Sequence, residues 1–418
     1  MTMAIHLTAP AMKTSVRSSD DARPLTVCHF TTAHADLKSR SFHRQMMPLA
    51  SGGMRIRYLA PMRSRVSRDR VDFVALPPRK GQIGRMLASF GLIPALLRQR
   101  ADVYHFQDPE LLPATLALKL VFRKRVVYDA YEDFPSMAAA SRSLPRLSRT
   151  LAARLVGLAE QMAARCFDGL MTADPLTLRR LAKIGGSKKL VFYNFPNLDF
   201  FPHPISRAKP FDLVYRGGLS ERAGTFVLLN AMHLLAERDR PVRLLLIGYF
   251  DGAPAEREIR ERIETLGLAA NIVVGGRMGH EQMAEALAEA RVGVCPLRPI
   301  PKFMRNIPVK AFEYWACGLP VVASDLPPIR PFLRHGEGGL LYSPESADQL
   351  AEAIGWMLDH PRAAVRMGRR GRELVAQRFN NRFEIHKLQR FFEEIVTGDS
   401  CPKERVDQES YSICSNRS

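Results

Sequence analysis

Residues 306–325 read Asn306-Ile307-Pro308-Val309-Lys310-Ala311-Phe312-Glu313-Tyr314-Trp315-Ala316-Cys317-Gly318-Leu319-Pro320-Val321-Val322-Ala323-Ser324-Asp325. Asn306 is placed to cap a helix, with Pro308 in its first turn. Val309, Phe312 and Trp315 form an apolar stripe, and Gly318 stands where a helix ends on a left-handed residue. Pro320 opens the next segment, and Val321-Val322-Ala323 reads as a short buried strand. Lys310 and Glu313 lie three residues apart on another face. A helix N-terminus offers free N–H groups, here beside a cation and with a carboxylate one turn on. That set suits a phosphorylated, hydroxyl-bearing ligand such as a nucleotide sugar. A buried amphipathic helix with a plain i,i+3 ion pair fits the local pattern equally well.

Around this stretch the chain has the size and make-up of a two-domain globular protein. It holds 418 residues, 46% hydrophobic and 25% charged, too many for one ordinary core. Cys28, Cys166, Cys295, Cys317, Cys401 and Cys414 are scattered, which argues for reduced thiols in a cytoplasm and against a zinc site or a disulfide frame. The net charge is +19. Residues 1–200 hold 31 Lys and Arg against 15 Asp and Glu, a net +16, and the remainder holds only +3. A basic first half implies an anionic partner, such as a membrane surface or a pyrophosphate-bearing substrate. Nucleic acid is not expected, because no aromatic-interleaved basic strand occurs. No apolar run is long enough for a transmembrane helix, and residues 1–23 read as a disordered basic arm without a signal-peptide core.

Strand and helix patterns alternate on both sides of the chain's middle. In the first half, strands are expected at 25–30, 56–60, 71–76, 103–106, 125–128, 169–172 and 189–193. Helices are expected at 40–50, 83–98, 111–122 and 151–166. Two strands run into acidic turns, Gln107-Asp108-Pro109-Glu110 and Asp129-Ala130-Tyr131-Glu132-Asp133, at strand ends where parallel sheets bind ligands; helix capping by Asp108 and Asp133 is the plainer reading. A hinge is expected at 197–210. The second half repeats the alternation, with strands at 212–215, 242–247, 272–274, 292–296, 321–323 and 339–342. Its helices fall at 226–236, 256–266, 280–290, 347–358 and 384–396. The fold class is therefore α/β, with two doubly wound parallel-sheet, Rossmann-like domains and a cleft between them. The divisions expected are an arm 1–23, domains 24–200 and 201–382, a helix 383–396 crossing back to the first domain, and a disordered tail 397–418.

These features together resemble the retaining glycosyltransferases of the GT-B fold, family 4, over roughly residues 25–395. The strongest block is the quoted one, which is similar to the family's P-x-K-x-F-E-Y-x-A-x-G-x-P-V-V-A-S signature. Supporting blocks are Arg40-Ser41-Phe42-His43-Arg44, Tyr215-Arg216-Gly217-Gly218, Ile247-Gly248, Gly276-Arg277, Met367-Gly368 and Gly371-Arg372. The resemblance implies a second domain that binds a nucleotide-diphosphate sugar and a first domain that binds the acceptor. Glu313 then grips the ribose hydroxyls. Asn306, Ile307, Pro308 and Val309 offer backbone N–H groups, and Gly217, Gly218 and Gly248 let the backbone approach the diphosphate. Arg277 and Met278 lie where the base is read. Lys310, with Arg216 and Arg222, would stabilise the leaving diphosphate, and Tyr131 faces the donor sugar. His34, Arg40, Asp108, Glu110 and Glu132 form the acceptor side.

The chain departs from the family at Gly218 and Ala223, where relatives carry basic residues for the diphosphate. Arg305 stands where many relatives have a first acid, and Gln107 and Tyr131 stand where histidines are usual. Without any Asp-x-Asp, no metal and no cofactor is expected; the nucleotide sugar is a substrate. The basic loop 63–70 and the amphipathic 83–98 segment suggest docking on an anionic membrane face that carries a lipid-linked or polysaccharide acceptor. The location expected is cytoplasmic, with peripheral attachment at the inner membrane face. The alternative is a GT-B scaffold that binds nucleotide or a partner without turnover.

Overall fold

Short β-branched and aromatic runs, separated by crossover-length helices, leave parallel sheets as the only way to pair the strands. A computed structural model describes residues 23–32, 41–61, 67–68, 70–77, 82–139, 145–181, 187–201 and 209–398. His34, Arg40, Arg63, Arg65, the arm 1–22 and the tail beyond 398 lie outside those residues.

The first domain contains β1 (Thr26–Phe30), β2 (Arg55–Pro61), β3 (Ser67–Arg68), β4 (Val71–Leu76), β5 (Val103–Phe106), β6 (Val126–Ala130), β7 (Gly169–Thr172) and β8 (Lys188–Val191). Their order is β3-β4-β2-β1-β5-β6-β7-β8. Seven strands run parallel, and the two-residue β3 pairs antiparallel on the edge. The second domain contains β9 (Phe211–Leu219), β10 (Leu244–Phe250), β11 (Ile272–Gly276), β12 (Ala290–Cys295), β13 (Val321–Ser324) and β14 (Gly339–Tyr342). Its order is β11-β10-β9-β12-β13-β14, all parallel. Each sheet is buried on both faces by helices, which explains why β1, β5 and β6 are buried along their whole length rather than on alternate residues. Both are Rossmann-like. The order reverses between β1 and β5 in one and between β9 and β12 in the other, and ligands bind beyond the strand ends at such points.

The two domains are tied by a helix that returns to the first. Asn381–Thr397 buries Ile385, Leu388, Phe391, Phe392 and Ile395 in the core that holds Val27, Ile56, Val103 and Val127 of the first sheet. Gly169 makes room for it, since a Cβ there would stand 2.7 Å from Ile395 and Phe391. At the crossing the Glu384 carboxylate accepts from the Tyr193 N–H at 2.8 Å, and the Asn381 N–H donates to the Pro196 carbonyl at 2.9 Å.

Four local expectations are corrected. The 83–98 helix is broken into Gln82–Ser89, a 3-10 turn Phe90–Leu92 and Ile93–Arg98, because Gly91 and Pro94 interrupt the ladder. The 40–50 segment passes through a π-helix, Phe42–Met46, before Met47–Ser51; Pro48 has no N–H to offer the carbonyl one turn back. A 17-residue helix, Pro361–Gln377, was not expected, although Ala364, Met367, Gly371 and Leu374 have its spacing. Gly217 and Gly218 lie inside β9, paired with Gly248 and Tyr249 of β10, rather than in a turn after it.

Candidate functional site

The quoted stretch forms a helix, Val309–Ala316, followed by β13. Its cap differs from the sequence expectation. Pro308 is the N-cap residue, in extended conformation, and no side chain caps the helix. A residue before proline is kept out of the helical region, so the helix cannot begin as early as Asn306. Gly318 ends it at φ 72°, in the left-handed conformation expected.

The helix is seated by its aromatic residues. The Tyr314 hydroxyl accepts from the Arg216 N–H at 2.8 Å and donates to the Val294 carbonyl at 3.2 Å, which ties it to β9 and β12. Burial pushes that phenol well above its ordinary range. The Trp315 indole N–H donates to the Gly338 carbonyl at 2.8 Å. Phe312 packs against Phe195, Phe332 and Phe379. Arg372 donates to the Ala316 carbonyl at the helix end and to the Phe201 carbonyl. The helix is thus anchored to the second domain and the crossing region together.

Glu313, 1% exposed, is held from both domains. Arg44 of the π-helix donates through Nη2 to Oε1 at 3.1 Å, and also donates to the Asn194 carbonyl. Arg216 Nη1 lies 2.8 Å from Oε2. It is not aligned as a donor, so among the described residues Oε2 receives no hydrogen bond. The Lys310–Glu313 ion pair, the plainer of the two readings of this helix, does not form. Lys310 instead places its ammonium 4.2 Å from the centre of the Tyr215 ring, and 2.9 Å from where a Gly217 Cβ would stand. Gly217 and Gly248, at φ 144° and 155°, bring the ends of β9 and β10 together, and a Cβ on Gly248 would overlap the Gly217 carbonyl. The cation therefore sits beside Gly217, where β9 carries no side chain.

The other nominated residues divide clearly. Arg222 is 60% exposed and paired with Asp251. Arg277 stacks 4.5 Å from the centre of the Tyr249 ring, and Met278 packs against Gly275 and the second-domain core. Tyr131, Glu132, Asn194, Asn306, Ile307 and Val309 line one cavity of ≈ 150 Å³ between the domains. Glu132 accepts from the Asn306 amide at 3.3 Å and lies 3.6 Å from Lys302. Arg305 pairs across the cleft with Asp133.

Asp108 does not cap the turn that follows it. Its carboxylate accepts from the Thr31 hydroxyl at 2.8 Å and the Thr32 N–H at 2.6 Å, fixing the end of β1. Glu110 is paired with Arg85 at 2.5 Å. Both are tied within the first domain and line no part of the cavity. Among the described residues no group of three or more His, Cys, Asp or Glu is placed to hold a metal ion.

Sequence reasoning gave no role to Arg44 or Asn194, nor to a buried polar chain behind the site. The Gln45 and Gln107 amides donate to Asp129 Oδ2 at 3.1 and 2.6 Å, and His105 Nε2 lies 3.8 Å from the same oxygen. His29 and His105 share an Nδ1 contact of 2.9 Å. Burial pulls His105 down to about 4, against the pull of Asp129. Arg44 and Glu313 are 269 residues apart, so no local pattern could pair them.

Residues 210–360 match the family described as glycosyl transferases group 1. Over 239 residues the chain is 25% identical to the GDP-mannose-dependent alpha-(1-6)-phosphatidylinositol monomannoside mannosyltransferase of Mycobacterium tuberculosis, covering 53% of this chain and 61% of that protein. It is 31% identical over 160 residues to the MMP alpha-(1->4)-mannosyltransferase of Mycolicibacterium hassiacum, 38% of this chain and 36% of that one. The chain thus spans less than two thirds of these relatives. Its fold matches sucrose-phosphate synthase of Thermosynechococcus elongatus, with a TM-score of 0.73 at 18% identity over 90% of this chain and 100% of that one. It also matches Anabaena HepE in complex with UDP and glucose, with a TM-score of 0.68 at 15% identity over 88% and 99%. The chain has the GT-B architecture and is similar to family 4 glycosyltransferases.

Proposed function

We propose that this chain of GT-B architecture transfers a sugar from a nucleoside-diphosphate sugar to a lipid-linked or polysaccharide-type acceptor, with retention at the anomeric carbon and without a metal. The observation that carries the reading is Glu313 itself: a carboxylate 1% exposed on the helix at the interdomain cleft, whose Oε2 is ion-paired with Arg216 at 2.8 Å but receives no aligned hydrogen bond among the described residues. A buried acceptor without a donor is costly, and a ribose hydroxyl would satisfy it. Arg44 holds the other oxygen, so the donor enters as that interdomain contact loosens. Lys310, beside the paired glycines Gly217 and Gly248 of β9 and β10, meets the diphosphate with its charge. The anomeric carbon–phosphate oxygen bond breaks, the acceptor oxygen bonds to the same face, and nucleoside diphosphate and a proton leave. Tyr131 and Glu132, on the cavity wall, face the sugar and acceptor. Support for a lipid acceptor comes from the relative whose name specifies a phosphatidylinositol mannoside. Incubation with a panel of nucleotide sugars tests the reading: slow hydrolysis or transfer with any of them is expected.

A second reading, binding without turnover, draws on the diphosphate side. Gly218 and Ala223 supply no cation, Arg216 is committed to Glu313, and Arg222 is committed to Asp251. Tight nucleotide binding with no turnover of any donor would favour it. A large gain in turnover from Ala223→Arg would show an impaired natural site.

A further inference from the structure

The helix Arg146–Ala164 turns the wrong side chains outward. Leu151, Leu155, Leu158 and Met162 are 59, 58, 55 and 56% exposed. Their spacing places all four within an arc of about 60°, over a length of about 16 Å. One exposed leucine needs no explanation, but a row in register does. The opposite face already packs: Ala163 and Ala164 sit in the first-domain core, and Gly157 lies against Pro135. The helix's one acid, Glu160, is also turned inward, accepting from the Tyr128 hydroxyl at 2.6 Å and from Arg180 at 2.9 Å. Arg154 and Arg165 are exposed, both on one flank of the apolar row.

We infer that this helix is the face by which the protein lies on an anionic lipid bilayer. An outward face with an apolar row, a basic flank and no acid has the pattern of a helix lying in the membrane interface, with arginines reaching the headgroups. A second copy is a poorer occupant: pairing two such faces sets Arg154 and Arg165 of each against like charge, with no acid on the face to relieve it. The charge of the first 200 residues, +16, adds long-range attraction to the same surface. The surface gives the proposed lipid-linked acceptor its place, but its physical basis does not depend on that acceptor.

Co-sedimentation with phosphatidylcholine vesicles and with vesicles containing phosphatidylglycerol decides it, with no nucleotide present. The full chain is expected to be retained by the anionic vesicles at low salt. The variant Leu151→Gln/Leu155→Gln/Leu158→Gln/Met162→Gln should lose at least about tenfold in partitioning. Arg154→Glu/Arg165→Glu should weaken binding to the anionic vesicles alone. Because these positions are exposed, thermal unfolding of both variants should match the wild type. Absence of retention by any vesicle overturns the inference. So does retention unchanged in the quadruple variant, or retention lost instead on changing Leu87 and Phe90 of the broken helical segment 82–98. Sedimentation velocity showing a dimer that the quadruple variant dissolves, without vesicle binding, reassigns the face to a second copy. Thermal shift with nucleotides reports separately on the transfer reading.

Discussion

Glu313 draws its meaning from what surrounds it. A glutamate in a helix at i+3 from a lysine reads as an ion pair, yet the lysine is elsewhere and two arginines take its place. Residue types were legible: a carboxylate and a cation near one helix start. The pairing was not, because Arg44 comes from the other domain. Removing Glu313 leaves two guanidiniums facing each other, so Glu313→Ala should cost about 1–3 kcal/mol of stability as well as donor affinity, checked by thermal unfolding and nucleotide titration. Lys310→Met should weaken a nucleoside diphosphate at least about tenfold while leaving the unphosphorylated nucleoside nearly unchanged, since only the former carries the charge it meets; calorimetry on both ligands checks it. His105 predicts a pH dependence. Its folded value of about 4 lies below the ordinary 6.5, so between those values the unfolded chain binds a proton that the folded chain refuses. Stability is therefore full above pH 6.5 and declines as pH falls toward 4, by up to about 3 kcal/mol from this group. Around it stand His29, Asp129 and the Phe392 ring. Glu160 and Glu384, both raised by burial, act in the opposite sense. The loss should accordingly be read as the difference between the wild type and His105→Gln in denaturation series at pH 7 and pH 4.5.

At the scale of elements, the signature helix was legible in its stripe and its terminal glycine. Its start was not, because Pro308 displaced the cap. Contact with the unexpected helix Pro361–Gln377 adds to what fixes it. A Cβ at Gly371 would overlap the Trp315 indole, and one at Gly368 would overlap the Gly318 carbonyl. Both glycines appear in the sequence, but only the structure shows that they face the site helix. Gly371→Ala should thus destabilise the second domain by about 2 kcal/mol, or displace Trp315, and weaken nucleotide binding alongside; thermal unfolding with tryptophan fluorescence checks it. The broken 82–98 segment carried its signals openly in Gly91 and Pro94, which apolar spacing overrode. The π-helix that presents Arg44 left no comparable trace beyond Pro48.

Over the whole molecule, alternation of strands and helices carried most of the fold. One restart of the pattern placed two doubly wound sheets with their switch points. Spacing could not show how those sheets face each other. Their closure depends on contacts remote in sequence: Arg44 with Glu313, Arg305 with Asp133, Asn306 with Glu132. These place the signature helix against the acidic turn 131–133, and make Glu313 the meeting point of both domains and the proposed donor. The most direct test is calorimetric titration of the wild type and Glu313→Ala with UDP, GDP and their sugars. The wild type is expected to bind one of these nucleotides at a single site, and the variant to bind it at least about tenfold more weakly. Equal affinity in the two proteins, or no binding of any nucleotide to the wild type, would contradict the assignment of Glu313 as the donor grip.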